Sequence, residues 1–404
     1  MKPDKLTTRE NLLPFALITA LFFLWGMAHG MLDVLNKHFQ TILEITKAKS
    51  GMIQFSMYIA YFLMAIPAGL FMRRFGYRKG IILGLLLFSS GALLIAATTK
   101  YESFWLFLIF LFILGCGLAT LETAANPYTT KLGPPQTSER RINFSQSFNG
   151  LAWTVGPLIG IFIYNSNPSG NGDKLSSLTM PYFIIGLVVL SVALMFLLTK
   201  LPEINDEEET VQSDYAPKPL IKERHLVLGV IAQFCYCAAQ TGIFSYLINF
   251  VTDENQPIHF NVENGPYFLS IGFLLFMIGR MLGSYLMSYF KPAKMLALYA
   301  LICCVLLPVI SINLGWPSII ALYVLFFFMS IMFPTIFALS IKDLGPKTKK
   351  ASSYIIMSIV GGAVFPPLMG LIADVTNSMA IGFLAPIPCF AFILFYALSG
   401  HKIK

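Results

Sequence analysis

The side chains best equipped for chemistry in this 404-residue chain are two carboxylates in apolar surroundings. Glu122, in "ATLETAANPY" (119–128), follows the almost wholly apolar run Phe104 to Leu121, and Asp33 sits within "WGMAHGMLDVLNKHFQ" (25–40). Burying an ionised acid at membrane depth costs roughly 2.5–3.5 kcal/mol on insertion scales, so such a group titrates readily when its exposure to water changes. That is what carrying a proton across a bilayer requires. One charge moved through about 100 mV releases roughly 2.3 kcal/mol, enough to concentrate a neutral solute severalfold to tens of fold. Asn126, four residues after Glu122, shares its helical face, and Pro127 frees the carbonyl near residue 123, which puts spare acceptors beside the acid. The plainer alternative is a structural glutamate held by neighbouring spans.

Polar side chains around these acids recur at helical spacing. Trp25, His29, Asp33, Asn36 and Gln40 form one stripe; Asn143, Gln146, Asn149 and Trp153 form a second; Gln233, Tyr236, Gln240 and Phe244 form a third. Lipid offers such groups no partner, so they face protein or a water-filled cavity. Amides supply donors and acceptors for hydroxyl edges and aromatic rings supply a flat apolar face, which together match the two surfaces of a pyranose. Interhelical hydrogen bonding is the competing explanation for any one amide. His29 and Asp33, one turn apart, form a pair able to share a proton. Arg280, in "MIGRMLGS", reads as a structural or gating ion-pair residue, and Lys37 as a side chain reaching to the outer interface.

Helices that cross a membrane must position these stripes. The chain is 56% hydrophobic and 12% charged, with a mean hydropathy of +0.71, too apolar for a water-soluble globule of this size. About 20 residues cross a bilayer core. Twelve spans are expected on that basis, near 12–37, 50–72, 79–99, 102–131, 142–165, 179–200, 225–252, 264–290, 293–313, 317–341, 351–375 and 379–400. No short apolar segment with a small-residue cleavage site precedes the first span, so no removable signal peptide is expected. All six cysteines fall within spans and read as apolar packing residues. With both termini cytoplasmic, 22 Lys and Arg lie on that side and five on the other, Arg280 alone being within a span. This split follows the positive-inside rule, so the net charge of +8 reports topology rather than nucleic-acid binding.

The single long polar interruption, 201–224, separates an N-terminal half (1–200) from a C-terminal half (225–404) of six spans each and reads as a cytoplasmic linker. "LGPPQT" (132–137) and "VGPLIG" (155–160) recur as "LGPKTK" (344–349) and "FPPLMG" (365–370) at offsets of 210 to 212, and Gly69 pairs with Gly283 at 214. Two parallel six-helix repeats are the plan of secondary transporters with a midplane site between the halves. Paired metal-spacing histidines, a nucleophile elbow and a phosphate loop are lacking, which argues against an enzyme.

The loop "GLFMRRFGYRKG" (69–80) resembles the cytoplasmic signature of the major facilitator superfamily. Arg73 stands where that family usually has an aspartate, which puts its gating salt bridge in question; the basic cluster, with Arg74, remains as a gating candidate. "LETAANP" (121–127), "QSFN" (146–149), "QFCY..AQT" (233–241), "FMSI.FPTIF" (328–337) and "GGAVFPPLMG" (361–370) resemble the L-fucose:proton symporter and fucose/galactose/glucose permease family nearly end to end. The resemblance implies an all-α facilitator fold, sugar–proton symport, coupling carboxylates at Asp33 and Glu122, and sugar contacts at Gln146 and Asn149. Trp25, Asn36, Asn126, Gln233, Tyr236 and Gln240 complete the expected sugar site. Three departures, His29-Gly30 for an Asn pair, Phe333 for a Tyr and Phe244 for a Trp, remove polar contacts and leave L-fucose, galactose, glucose or a related hexose open. Sodium coupling and a transport-dead sugar sensor are the alternatives. The protein is expected to act as a monomer in an inner membrane, with a monosaccharide, a proton and lipid as partners and with no cofactor, metal or nucleic acid.

Overall fold

The computed structural model describes residues 6–8, 10–42, 49, 52–101, 103–165, 178–198, 219–253, 256–258, 260–261 and 264–403, without the side chains of 33–42, 160–165, 346 and 349. Asp33, Asn36, Lys37 and Gln40 therefore lie on a described helix, but their side chains are outside the described residues. Most of the 201–224 linker is outside them too.

The apolar runs form helices because a helix satisfies every backbone N–H and C=O internally. In chain order α1 is Leu12–Ile42. Met52–Thr98 breaks at Gly76 into α2 (52–75) and α3 (77–98). Next come α4 (Phe104–Lys131), α5 (Ser138–Asn165) and α6 (Thr179–Leu198). The second repeat begins with α7 (Arg224–Val251), α8 (Gly265–Leu286) and α9 (Pro292–Ser311). It ends with α10 (Trp316–Ile341), α11 (Lys350–Thr376) and α12 (Met379–Gly400). Ten segments among the described residues are apolar and long enough to cross a membrane. One of them, the 50-residue Met52–Tyr101, counts twice because of the break. The twelfth helix is α5, which carries the amide stripe. The expected twelve-helix architecture of two six-helix repeats is what the chain adopts.

Gly76 makes the α2–α3 turn with φ 84° and ψ 167°, a conformation that a side chain would strain. The turn leaves Arg73 and Arg74 exposed, Arg74 lying 5.3 Å from the ring of its neighbour Phe75. The repeat is visible in detail. "LGPPQT" and "LGPKTK" each form a short 3₁₀ turn, Pro135–Thr137 and Gly345–Lys347, leading into α5 and α11.

Within each half, small residues let backbones close up. A Cβ on Gly117 of α4 would sit 2.3 Å from Phe88 N of α3, and one on Gly156 of α5 would sit 2.5 Å from Gly30 C of α1. Gly156→Ala is accordingly expected to force α1 off α5 and lower the unfolding midpoint of the detergent-solubilised protein by several degrees; an unchanged midpoint would show that the helices can slide apart freely.

The halves meet along α5–α8 and α2–α11. At the basic end, Glu139 faces Lys342 at 3.9 Å, Ser284 Oγ donates to Arg140 O at 3.0 Å and Asn143 Nδ2 donates to Thr335 Oγ1 at 3.4 Å. These contacts, rather than Arg73 and Arg74, join the halves there. Arg141, read as a loop charge, is instead fully buried. Its guanidinium donates to Thr129, Thr130 and Gly133 carbonyls at the end of α4 and to Leu6 O, holding the start of α1 against the α4–α5 turn.

Candidate functional site

Near the middle of the α5–α8 interface lies a small cavity of ≈ 50 Å³. That is room for a few water molecules. Its walls carry Trp25 and His29 (α1), Tyr58 (α2), Glu122 (α4), Gln146, Asn149 and Trp153 (α5), Gln240 and Thr241 (α7), Arg280 (α8) and Phe333 (α10).

Each wall follows from a local sequence feature. The α5 amides project inward because three- and four-residue steps keep them on one face. In α10, Pro334 has no N–H to offer Ser330 O, and the helix breaks between Met329 and Met332. The freed carbonyls find donors in the other helices. Arg280 Nε donates to Ser330 O at 2.6 Å, and Tyr236 Oη donates to Met329 O at 3.1 Å.

Arg280 is the centre of the polar network. Its Nη1 donates to Gln146 O at 2.8 Å, Gln146 Oε1 at 3.0 Å and Asn149 Oδ1 at 3.4 Å, while the guanidinium stacks 4.4 Å over Phe276. With both amide oxygens turned to Arg280, the nitrogens face the other way: Gln146 Nε2 donates to Asn126 Oδ1 at 3.4 Å and Asn149 Nδ2 to Phe22 O at 3.1 Å. The ion pair expected at Arg280 is absent among the described residues. Neutral oxygens of α5 and α10 surround it instead, tying one half to the other.

Glu122 is buried, 6% exposed, and accepts a 2.9 Å hydrogen bond from Tyr61 Oη. Asn126 does not support it as expected. The one-turn spacing holds, but the Asn126 carbonyl is taken by Gln146 and its Nδ2 is buried without a partner among the described residues. Tyr61 Oη also lies 3.4 Å from His29 Nε2, and the His29 ring stacks on Trp153 with centroids 5.6 Å apart and planes at 8°. Trp153 is in turn braced edge-on by Phe244 and Phe273 at 5.4 and 5.1 Å.

The structure brings together Trp25, Glu122, Gln146, Asn149, Gln240 and Arg280 on the cavity wall, with Asn126 just behind Gln146. Gln233 and Tyr236 do not line it. Their stripe runs on past the cavity, where Tyr236 packs edge-on against Phe333 at 6.2 Å and Gln233 Nε2 donates to Cys237 Sγ at 3.8 Å. Tyr58, Tyr61 and Thr241 were not anticipated. Thr241 Oγ1 donates to Tyr58 Oη at 3.3 Å, a further bridge between halves. The signal was present: Tyr58 and Tyr61 are three apart on one face of α2, but in an apolar run tyrosines read as core.

Twelve helices in two repeats around a polar cavity, with a carboxylate in its wall, define a polytopic membrane transporter. The chain belongs to the Major Facilitator Superfamily, whose family model matches residues 15–360. It is 38% identical to the L-fucose-proton symporter of Escherichia coli K12 over 96% of this chain and 93% of that one. It is 33% identical to the Glucose/galactose transporter of Brucella abortus biovar 1 over 98% and 96%. Among solved structures it superposes on the E. coli fucose:proton symporter FucP, a Major Facilitator Superfamily transporter captured in the outward conformation. The TM-score is 0.82 at 36% identity, with 98% of this chain and 100% of that chain covered. The proton:xylose symporter XylE matches in fold alone, at 13% identity and a TM-score of 0.77 over 97% and 96%.

Proposed function

We propose that this chain imports a neutral hexose together with a proton, working as a monomer in an inner membrane with both termini in the cytoplasm. The observation that carries the proposal is the composition of one cavity wall. Gln146, Asn149 and Gln240 can meet hydroxyls, Trp25 and Trp153 can lie along a ring's C–H face, and Glu122 stands beside them as a group able to bind and release a proton. Proton–sugar symport by the E. coli relative and glucose/galactose transport by the Brucella relative agree with this chemistry. Asp33, on the same helix as His29 and Trp25, is the second proposed coupling acid, and Asn36 a further sugar contact. At ≈ 50 Å³ the cavity is contracted. Admitting a hexose means parting α5 from α8, by rocking the 1–200 half against the 225–404 half about the 201–224 linker.

Phe333 and His29 in this wall, with Phe244 and Gly30 packed behind Trp153, leave it fewer side-chain hydroxyls and amides than the fucose permease pattern. The sugar is therefore chosen by Gln146, Asn149 and Gln240 among L-fucose, galactose, glucose and related hexoses. A panel of radiolabelled sugars in proteoliposomes tests this, with a pH gradient or a sodium gradient imposed separately. Accumulation of one hexose under the pH gradient alone is expected; accumulation driven only by sodium, or by neither, would overturn the proposal. For the accumulated sugar, Gln146→Ala combined with Asn149→Ala should raise Kd by roughly a hundredfold, since two hydrogen-bonding amides at about 1–1.5 kcal/mol each are lost. Unchanged binding would move the sugar elsewhere.

A further inference from the structure

His29 is buried, with Nδ1 hydrogen-bonded to a carbonyl and Nε2 close to a hydroxyl. Nδ1 lies 3.1 Å from Trp25 O, and a carbonyl can only accept, so Nδ1 carries a hydrogen. In the neutral ring this leaves Nε2 as a bare acceptor, and it points at Tyr61 Oη from 3.4 Å. Tyr61 has one hydroxyl proton and gives it to Glu122 Oε1 at 2.9 Å. Three groups able to exchange protons thus stand in line, and the Trp25 carbonyl fixes the tautomer that makes the line work. Stacking on Trp153 holds the imidazole plane in register with it.

We propose that His29 is the proton port of Glu122: protons reach and leave the carboxylate through a relay of His29 Nε2, Tyr61 Oη and Glu122 Oε1. This rests on reading Glu122 as a coupling acid. In the loading direction a hydrated proton from the cavity reaches Nε2 when the 3.4 Å contact with Tyr61 opens, giving an imidazolium. Its Nε2–H then donates to Tyr61 Oη, and that contact shortens toward about 2.7–2.9 Å, as charge-assisted bonds do. The Tyr61 O–H bond breaks as a Glu122 O–H bond forms, and the Nε2 proton completes a new Tyr61 O–H. The balance is imidazolium plus carboxylate giving imidazole plus carboxylic acid, with tyrosine restored. Unloading is the reverse.

The charged and titratable groups around His29 allow this sequence. Tyr58 and Tyr61 face it from α2, Glu122 stands behind Tyr61 on α4, and Cys237 and the Arg280 cation line the same cavity from α7 and α8. From α5 it meets the indole of Trp153. On its own helix Asp33 is one turn further along, its side chain outside the described residues. An asparagine, as the fucose permease pattern carries near this position, could hydrogen-bond to Tyr61 but could not exchange a proton.

The test compares His29→Gln, Tyr61→Phe and the double variant in proteoliposomes, using the labelled sugar that the unaltered protein accumulates. Two rates are read as the external pH is varied. One is proton-driven uptake; the other is exchange of labelled for unlabelled sugar, which moves no net proton. Each single variant is expected to lower the ratio of uptake to exchange at least tenfold, the lower side of what a positioned acid–base group contributes at roughly 10²–10⁴. The double variant should lose little more, because both act on one path. The dependence of uptake on external pH should change in His29→Gln. A purely structural role would lower both rates together and leave the profile in place. A folded variant with an unchanged ratio and profile overturns the relay; if His29→Gln fails to fold, Tyr61→Phe decides alone, since it removes a single oxygen. Failure of the unaltered protein to accumulate sugar under a pH gradient would overturn the coupling reading together with the relay, whereas accumulation with unaltered variants overturns the relay only.

Discussion

Glu122→Gln is expected to abolish proton-driven sugar accumulation, a loss of the whole concentrating power that one proton supplies. The substitution is close to isosteric. A glutamine carbonyl can still accept from Tyr61 Oη, so the 2.9 Å contact and the packing of α2 on α4 have a direct replacement. What disappears is the ability to bind and release a proton. Roughly 2.3 kcal/mol per charge per 100 mV corresponds to a gradient of tens of fold, all of which depends on the sugar's passage being tied to that proton. Exchange of labelled for unlabelled sugar moves no net proton and should fall far less. Full accumulation by a well-folded Glu122→Gln protein would show that coupling resides elsewhere, with Asp33 the first place to look. Reduced accumulation and exchange in equal measure would make Glu122 a structural residue, the plainer reading of a buried acid.

How far the sequence led depended on the range of the interaction involved. Twelve spans, two repeats and the inward face of α5 are consequences of local periodicity and of the bilayer's demand that backbone groups pair internally, and they can be read along the chain. Gln146 and Asn149 stood out because three- and four-residue steps carry amides through a span where lipid would penalise them. Side-chain partners were not legible, even at one-turn spacing. Asn126 has the right spacing to reach Glu122, yet pairs with Gln146 of α5, twenty residues away. Tyr61 reaches Glu122 from 61 positions off, and nothing in an apolar helix marks that tyrosine as different from a core residue. Arg280 shows the same limit. A lone arginine in a span suggests a carboxylate partner. It is met instead by carbonyls that only the α10 break and the facing α5 amides make available, and those belong to residues 50 and 134 positions distant. The family resemblance supplied the coupling chemistry that periodicity could not, while the departures at His29 and Gly30 mark where this chain's own geometry has to be read directly.

Arg280 carries the second large expected effect, because it sets the orientation of both amides proposed to meet the sugar. Gln146 and Asn149 each have an oxygen and a nitrogen to present, and the bonds at 3.0 and 3.4 Å commit both oxygens to the guanidinium. Arg280→Leu would leave these oxygens, Gln146 O and Ser330 O without their donor inside a membrane interior. Unmet buried acceptors cost about 1–3 kcal/mol each, so the amides would turn toward whatever donors remain and lose the arrangement that fits a sugar. Binding should weaken by at least about a hundredfold, since every 1.4 kcal/mol is tenfold. Arg280→Lys discriminates better. It keeps the charge, but a compact ammonium cannot span acceptors on both α5 and α10 as a planar fork does. A rise in Kd of roughly tenfold is expected, because one of those contacts, worth about 1.5 kcal/mol to a charged donor, is given up. Trp25 and Trp153 in the cavity wall offer a direct readout, sugar-dependent change of intrinsic fluorescence in detergent, with a thermal melt to confirm folding. If Arg280→Lys binds sugar as tightly as the unaltered protein, position 280 contributes charge rather than geometry, and the amides must be oriented by Asn126 and the Phe22 carbonyl instead. In that case combining Arg280→Lys with Asn126→Ala should expose the dependence, because the second change takes away the one side-chain acceptor that Gln146 Nε2 has on α4.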